Sequence, residues 1–192
     1  MSKIADKITN YIMIKGMIDK DDYDIYHYGF QTGIEFILCL AISVIMASSL
    51  GLIREFAIII LVLLPLRAYI CGIHMKKFVS CLFCSVALVT CGPYLVQKIM
   101  ISNHIVLCLS VIAIVILHKC SYITTEYQCD SDEVTYFASI RKRILLCVFM
   151  VECIFLFIDK SEFLKLILYA LLVAVFSVVL QIILIKKKQD FT

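Results

Sequence analysis

Apolar residues run through this chain in six long blocks separated by short polar stretches, at 34–53, 56–73, 78–96, 101–117, 144–158 and 163–185. A helix needs about 20 residues to cross the hydrocarbon core of a bilayer. Each block therefore predicts a membrane-spanning helix, with the second, fourth and fifth short or interrupted. Ahead of them, Ile4, Ile8, Tyr11, Ile12 and Ile18 recur at near-helical spacing, while Lys3, Asp6, Lys7, Lys15 and Lys20 fall mostly elsewhere. That pattern predicts an amphipathic helix over 1–20, lying at the membrane surface. The Asp19–Asp24 cluster offers N-cap residues for the next helix, which enters the membrane near Ile34. Pro65 and Gly92-Pro93 mark bends or ends. The expectation is an all-α, polytopic membrane protein: one membrane domain over 1–192, with about six transmembrane helices and an N-terminal interfacial helix.

Composition sharpens this picture. The 192 residues are 62% hydrophobic and 17% charged, with a mean hydropathy of +1.00. Soluble domains average roughly 45–50% apolar and about 25% charged, so an ordinary soluble domain is excluded. No basic leader with a small-residue cleavage site precedes the blocks, so no removable signal peptide is expected. The length leaves no room for a soluble partner domain. A net charge of +3, with no Lys/Arg run interleaved with aromatics, argues against nucleic acid.

Charge also sets orientation, because basic residues concentrate in cytoplasmic connections. With the N-terminus inside, the cytoplasmic segments hold Lys3, Lys7, Lys15 and Lys20; Arg67, Lys76 and Lys77; Lys119 and Arg141–Arg143; and Lys186–Lys188. The outer side keeps Arg54, Lys98, Lys160 and Lys165. Fourteen against four predicts six spans with both termini in the cytoplasm. Ten cysteines are present, yet Cys39, Cys84, Cys91, Cys108, Cys147 and Cys153 lie within or beside apolar blocks. There a thiol packs as a small hydrophobe, and reduced cysteines are expected rather than a disulfide framework.

The chemistry concentrates in the polar stretch between the second and third blocks, from Arg67 to Cys81. His74 and Cys81 stand seven residues apart there, with Arg67, Lys76 and Lys77 around them. A thiol beside an imidazole is the minimum for nucleophilic catalysis at neutral pH, and nearby positive charge favours the attacking thiolate. Seven residues along one continuous helix separate two groups by roughly 10 Å, too far for a hydrogen bond of about 3 Å. A catalytic pair thus requires the backbone to bend between them, which Gly72 permits. Cys81 would then open the third span, at the positive end of a helix dipole.

Other readings use the same residues. Cys71-x-x-His74 and Cys81-x-x-Cys84 form two metal-ligand-like pairs, although the linker between them is short for a zinc site. A third reading leaves His74 as an interfacial residue and Cys81 as a packing residue, since single Cys–His spacings are weak signals. Among intramembrane charges, Glu35 is able to orient His74, to pair with Arg67, or simply to sit at the interface. For Glu152 the sequence names no partner. His27, His104 and His118 fall at span ends, where interfacial solvation accounts for them. A channel, transporter or partner subunit is the competing functional class. It predicts polar residues along a path, and Glu35, Gln97, Glu152 and Gln181 form no evident series.

Arg67, Gly72, His74 and Cys81, with Glu35 in a Gly33-Ile34-Glu35 context, resemble the accessory gene regulator protein B (AgrB) family of membrane cysteine endopeptidases in bacterial quorum sensing. Chain length, span number and the basic region 118–143 resemble it as well, so the likeness covers nearly the whole chain. Two departures stand out: Cys71-Gly72 where the family commonly has two glycines, and Ser121–Thr125 where it often carries a proline. The resemblance implies a multi-pass bacterial cell-membrane enzyme that needs no metal or organic cofactor. It implies His74 and Cys81 as the catalytic pair, with Glu35, Arg67 and Gly72 in support. It implies an AgrD-like precursor peptide as partner, which loses its C-terminal tail through a Cys81 thioester and closes to a thiolactone or lactone. Membrane lipid is the other expected partner, and a homodimer is compatible with this reading.

Overall fold

The computed structural model describes residues 2–69, 78–126 and 131–189. Seven α-helices follow one another: α1 Ser2–Ile14, α2 Tyr23–Ser49, α3 Ile53–Tyr69, α4 Phe78–Lys98, α5 Asn103–Glu126, α6 Ser131–Phe157 and α7 Ser161–Gln189. No strand occurs among the described residues. The all-α expectation is therefore met. A 3-10 turn at Lys20–Asp22 leads into α2, with Asp22 at its N-cap and Asp24 in its first turn. Acidic residues at helix starts and basic ones at helix ends complement the helix dipole. Glu55 and Arg67 do so in α3, and Glu162 opens α7.

Three helices stop in the same kind of turn, in which one residue takes up the left-handed backbone region. Gly16 and Gly51, both at φ 68°, fill that position after α1 and α2. The Met17 N–H then donates to the Ile12 carbonyl at 3.1 Å, and the Leu52 N–H to Ala47 at 2.8 Å. After α6 the position is taken by Asp159 at φ 57°, and the Lys160 N–H donates to the Phe155 carbonyl at 3.0 Å. Asp159 compensates with its side chain, whose Oδ1 accepts from Asn103 Nδ2 at 3.0 Å. Lys165 Nζ adds a bond to the Ile99 carbonyl at 2.9 Å. The turns 99–102 and 158–160 are thereby tied together at one end of the bundle.

Around α7 the bundle is well packed. Ile59, Val62 and Leu66 of α3, Ala113 and Leu117 of α5, and Leu145 and Val148 of α6 join Ile167, Leu171, Ala174 and Val178 of α7 in one buried cluster. Helix α4 also rests on α7, whereas α2 packs on α1, α3 and α4. Only Ser43 and Ala47 of α2 are buried. Helix α1 meets α2 through Ala5 and Thr9, both fully buried, and the Thr9 hydroxyl donates to the Ala5 carbonyl at 2.9 Å. Small residues allow that close approach. The neighbouring face of α1, with Ile4, Tyr11 and Ile14, points outward.

Helix bounds differ from the apolar blocks. α2 begins at Tyr23, at the Asp19–Asp24 cluster expected to cap it, well before the apolar block at 34, while α5 runs on to Glu126 and α6 begins at Ser131 rather than near 144. Hydropathy marks where a helix is apolar, not where its backbone hydrogen bonds stop. Pro65 and Pro93 both lie inside helices, not at their ends. Two helices, Lys20–Ser49 and Ser161–Leu184, are long and apolar enough to cross a membrane. Large apolar side chains project outward from every helix, among them Ile45, Leu61, Phe83, Leu146 and Phe176. Soluble monomers rarely leave so much apolar surface open.

Candidate functional site

Helix α4 carries Cys81 as its fourth residue, within the first turn. The first backbone N–H groups of a helix have no partner within it, so this turn favours an anion. Cys71, Gly72, His74, Lys76 and Lys77 lie outside the described residues, as does the Cys81 side chain. The expected bend between His74 and Cys81 also lies outside them. Among the described residues no group of three His, Cys, Asp or Glu is arranged to hold a metal. Of the four zinc-ligand candidates only Cys84 is described with its side chain, which is free and exposed. Cys39, Cys108, Cys147 and Cys153 are free as well.

The position of α4 is fixed by α7. The Tyr169 hydroxyl donates to the Leu88 carbonyl at 2.7 Å. Gly92, one turn further along α4, leaves the space for the Tyr169 ring, which a Cβ at that position would strike. Pro93 follows at once. A proline withdraws one helical N–H, so the α7 side chain braces α4 where its ladder is weakest. The sequence marked Gly92-Pro93 as a bend; the reason for this glycine is the ring beside it. An unexplained glycine within an apolar helical block was the available signal.

Glu35 and Arg67 stand at the same depth. Each lies fourteen residues from the end of its helix at the α2–α3 turn, or about 21 Å along the axis at 1.5 Å per residue. They form no ion pair. Glu35 Oε1 accepts from Gln31 Nε2 at 3.1 Å within α2, and Arg67 is exposed in the last turn of α3. His27 is not simply solvated, as its span-end position suggested. Its Nε2 lies 2.8 Å from Asp6 Oδ1 of α1, and its ring stacks on Tyr23. His104 and His118 are exposed.

Every described α-helix buries at least one polar side chain. Glu152 of α6 is fully buried, as is Ser110 of α5. The two face each other without a hydrogen bond of good geometry. Arg141 of α6 is only 1% exposed, although by position it belongs to a basic connection. Gln181 of α7 is buried too. Glu152 lies near the α6–α7 turn and Gln181 twenty residues into α7, so the two occupy opposite halves of the bundle. No polar path links them.

Helices of membrane-crossing length, outward apolar faces and a core gathered on α7 define a helical, membrane-associated protein. A sequence model of the accessory gene regulator B family matches residues 3–185, nearly the whole chain, and the chain belongs to that family. The family acts with an AgrD propeptide in the peptide processing of quorum sensing. No curated protein and no solved structure matches the chain.

Proposed function

We propose that this protein is a membrane cysteine endopeptidase. It removes the C-terminal tail of an AgrD-like propeptide and supports closure of the remainder to a thiolactone or lactone. The observation that carries this reading is Cys81 in the first turn of α4, in a chain matched to the family over residues 3–185. His74 takes the Cys81 proton, and the thiolate attacks the carbonyl of the peptide bond before the tail. The imidazolium then protonates the departing amine of the tail, and the acyl group stays on Cys81 as a thioester. A cysteine or serine within the propeptide displaces it, His74 accepts that proton, and Cys81 leaves as a thiolate. Cyclisation outruns hydrolysis where the internal nucleophile is held close and water is kept out. Arg67, Gly72 and Glu35 are the supporting residues of this reading, and Glu35 shares the depth of Arg67.

The protein spans the bacterial cell membrane six times, through α2 to α7, with α1 on the cytoplasmic surface. Two features support this. The outward faces of these helices are apolar, and Arg54, Lys98, Lys160 and Lys165 all belong to the end formed by the turns 50–52, 99–102 and 158–160. Among the described residues Arg67, Lys119, Arg141, Lys142, Arg143 and Lys186 belong to the opposite end, in keeping with the excess of Lys and Arg in cytoplasmic connections.

The test is direct. Cys81→Ala and His74→Ala each abolish cleavage of a co-expressed propeptide while the protein still accumulates in the membrane. Cys71→Ala and Cys84→Ala retain most activity. The wild-type enzyme with full-length propeptide gives a hydroxylamine-sensitive mass adduct on Cys81 that lacks the tail. Equal loss in all four variants, with stoichiometric zinc in purified protein, would establish a metal site instead. Normal cyclic product from Cys81→Ala would remove Cys81 as the nucleophile.

A further inference from the structure

We infer that Gln181 of α7 binds the main chain of the propeptide beside the bond that Cys81 attacks, its side-chain carbonyl accepting a backbone N–H of the substrate. The inference rests on the peptidase reading of Cys81 and adds a substrate-binding residue to it. Gln181 is buried at 8% exposure, and its Oε1 accepts no hydrogen bond among the described residues. Folded proteins rarely leave a buried acceptor unpaired, and one that stays so calls for a partner from elsewhere. Leu172, Phe176, Val179 and Ile183 form the outward stripe of α7. Gln181 lies off that stripe, so its carboxamide is turned into the bundle and not towards lipid.

Depth brings Gln181 to Cys81. Helices α4 and α7 share one end of the bundle, where Lys165 Nζ donates to the Ile99 carbonyl and Asn103 Nδ2 to Asp159 Oδ1. Further in, Gly92 of α4 receives the Tyr169 ring of α7. From that contact towards the opposite end, Cys81 is eleven residues along α4 and Gln181 twelve along α7. At 1.5 Å per residue these are roughly 17 and 18 Å. The first turn of α4 and Gln181 therefore stand at one level, on two helices that pack together.

A peptide main chain is the ligand whose chemistry fits. A thiolate reaches a peptide carbonyl only where the substrate is unwound, and an unwound chain exposes its N–H and C=O groups. Non-helical backbone at membrane depth is tolerated only where protein pairs those groups. A carboxamide offers an acceptor and donors side by side, the complement of one peptide unit. It carries no charge to hold a phosphate or a carboxylate, and its Oε1 repels both. One substrate N–H on Oε1 satisfies the buried acceptor and fixes the chain beside the nucleophile, which is the positioning that peptide cleavage requires.

The experiment measures binding of a fluorescent synthetic AgrD-like propeptide to full-length Cys81→Ala protein in nanodiscs, where no turnover intervenes. Copies of the propeptide carry an ester in place of one main-chain amide at a time, on either side of the cleaved bond, which removes the N–H and keeps the side chains. One such ester is expected to weaken binding about tenfold, and Gln181→Leu to weaken binding of the all-amide propeptide about as much. The two losses do not add: that ester costs the Gln181→Leu protein less than about twofold. Gln181→Glu keeps an oxygen at the same reach and restores part of the affinity. Val179→Ala, on the outward stripe, changes binding less than about twofold. With Cys81 in place, Gln181→Leu raises KM about tenfold and leaves kcat within about twofold, the mark of an interaction made equally in bound substrate and transition state. Should Gln181→Leu fail to accumulate, Gln181→Met, unbranched and of similar length, carries the same comparison. Equal ester penalties with and without Gln181 at every position would overturn the inference. So would unchanged binding in Gln181→Leu together with a loss of unfolding stability, which would assign Gln181 to packing. Normal cyclic product from Cys81→Ala would instead reject the peptidase reading, and the coupling of Gln181 to the ester is read independently of it.

Discussion

Helices α2 and α7 are both long and apolar enough to cross a bilayer, yet they have opposite roles. α7 buries residues on most of its circumference, and α3, α4, α5 and α6 all rest on it. α2 turns Phe36, Ile37 and Ile45 outward and buries only Ser43 and Ala47. Both pass as membrane-crossing by length and hydropathy, α7 with the higher value, but that test does not say which side chains each helix turns inward. Where lipid is as apolar as leucine, packing rather than hydrophobicity separates core from periphery.

The largest contrast to test is therefore a pair of truncations. Leu171→Ala in α7 removes a fully buried side chain, and its expected cost is about 2–4 kcal/mol. Ile45→Ala in α2, where the side chain is 63% exposed, is expected to cost under ~0.5 kcal/mol. Reversible SDS unfolding in mixed micelles measures both, and equal losses would erase the distinction between the helices.

Next in size is Gly92→Val. Its side chain meets the Tyr169 ring, so α4 must leave α7, at an expected cost of about 1–3 kcal/mol. The same unfolding assay reads it, and under the proposed mechanism propeptide cleavage falls with it, because Cys81 rides on α4. A variant that keeps wild-type stability would show that α4 does not depend on this contact. Tyr169→Phe sharpens the point by keeping the ring and removing only the donor to Leu88, with an expected loss of about 1 kcal/mol.

The smallest effect belongs to the periphery. Asp6 and His27 join α1 to α2 at 2.8 Å, but the Asp6 side chain is 45% exposed. A double-mutant cycle on Asp6→Asn and His27→Gln should give a coupling below ~1 kcal/mol. A coupling of several kcal/mol would place α1 among the organising helices.

Much of this architecture was legible in the chain. Apolar blocks announced an all-helical protein, and Arg67, Gly72, His74 and Cys81 pointed to the family that the comparison then found. The N-cap acids before α2 were equally readable. What could not be read was the inward face of each helix. A helix apolar all round has no periodicity that separates core from lipid, so the difference between Leu171 and Ile45 left no trace. The burial of Arg141 was not legible for a related reason: a basic residue in a basic segment looks solvent-exposed, and only packing reveals that it lies inside the bundle. Tyr169 was missed because its partner is a main-chain carbonyl, which every residue offers alike. The pairing of His74 with Cys81 remains a proposal from residue chemistry and spacing.

The central place of α7 has a consequence for biosynthesis. Of the described helices it is the last to leave the ribosome, so α3, α4, α5 and α6 are synthesised before the helix against which they all pack. Until then the cluster from Ile59 to Leu145 lacks Ile167, Leu171, Ala174 and Val178, and the earlier helices have only their contacts with one another. Completion of the core therefore waits for the last helix. Chains halted before Ser161 would lack the buried cluster that α7 gathers and stay open to quality-control proteolysis, and the arrival of α7 would end that exposure in a single step.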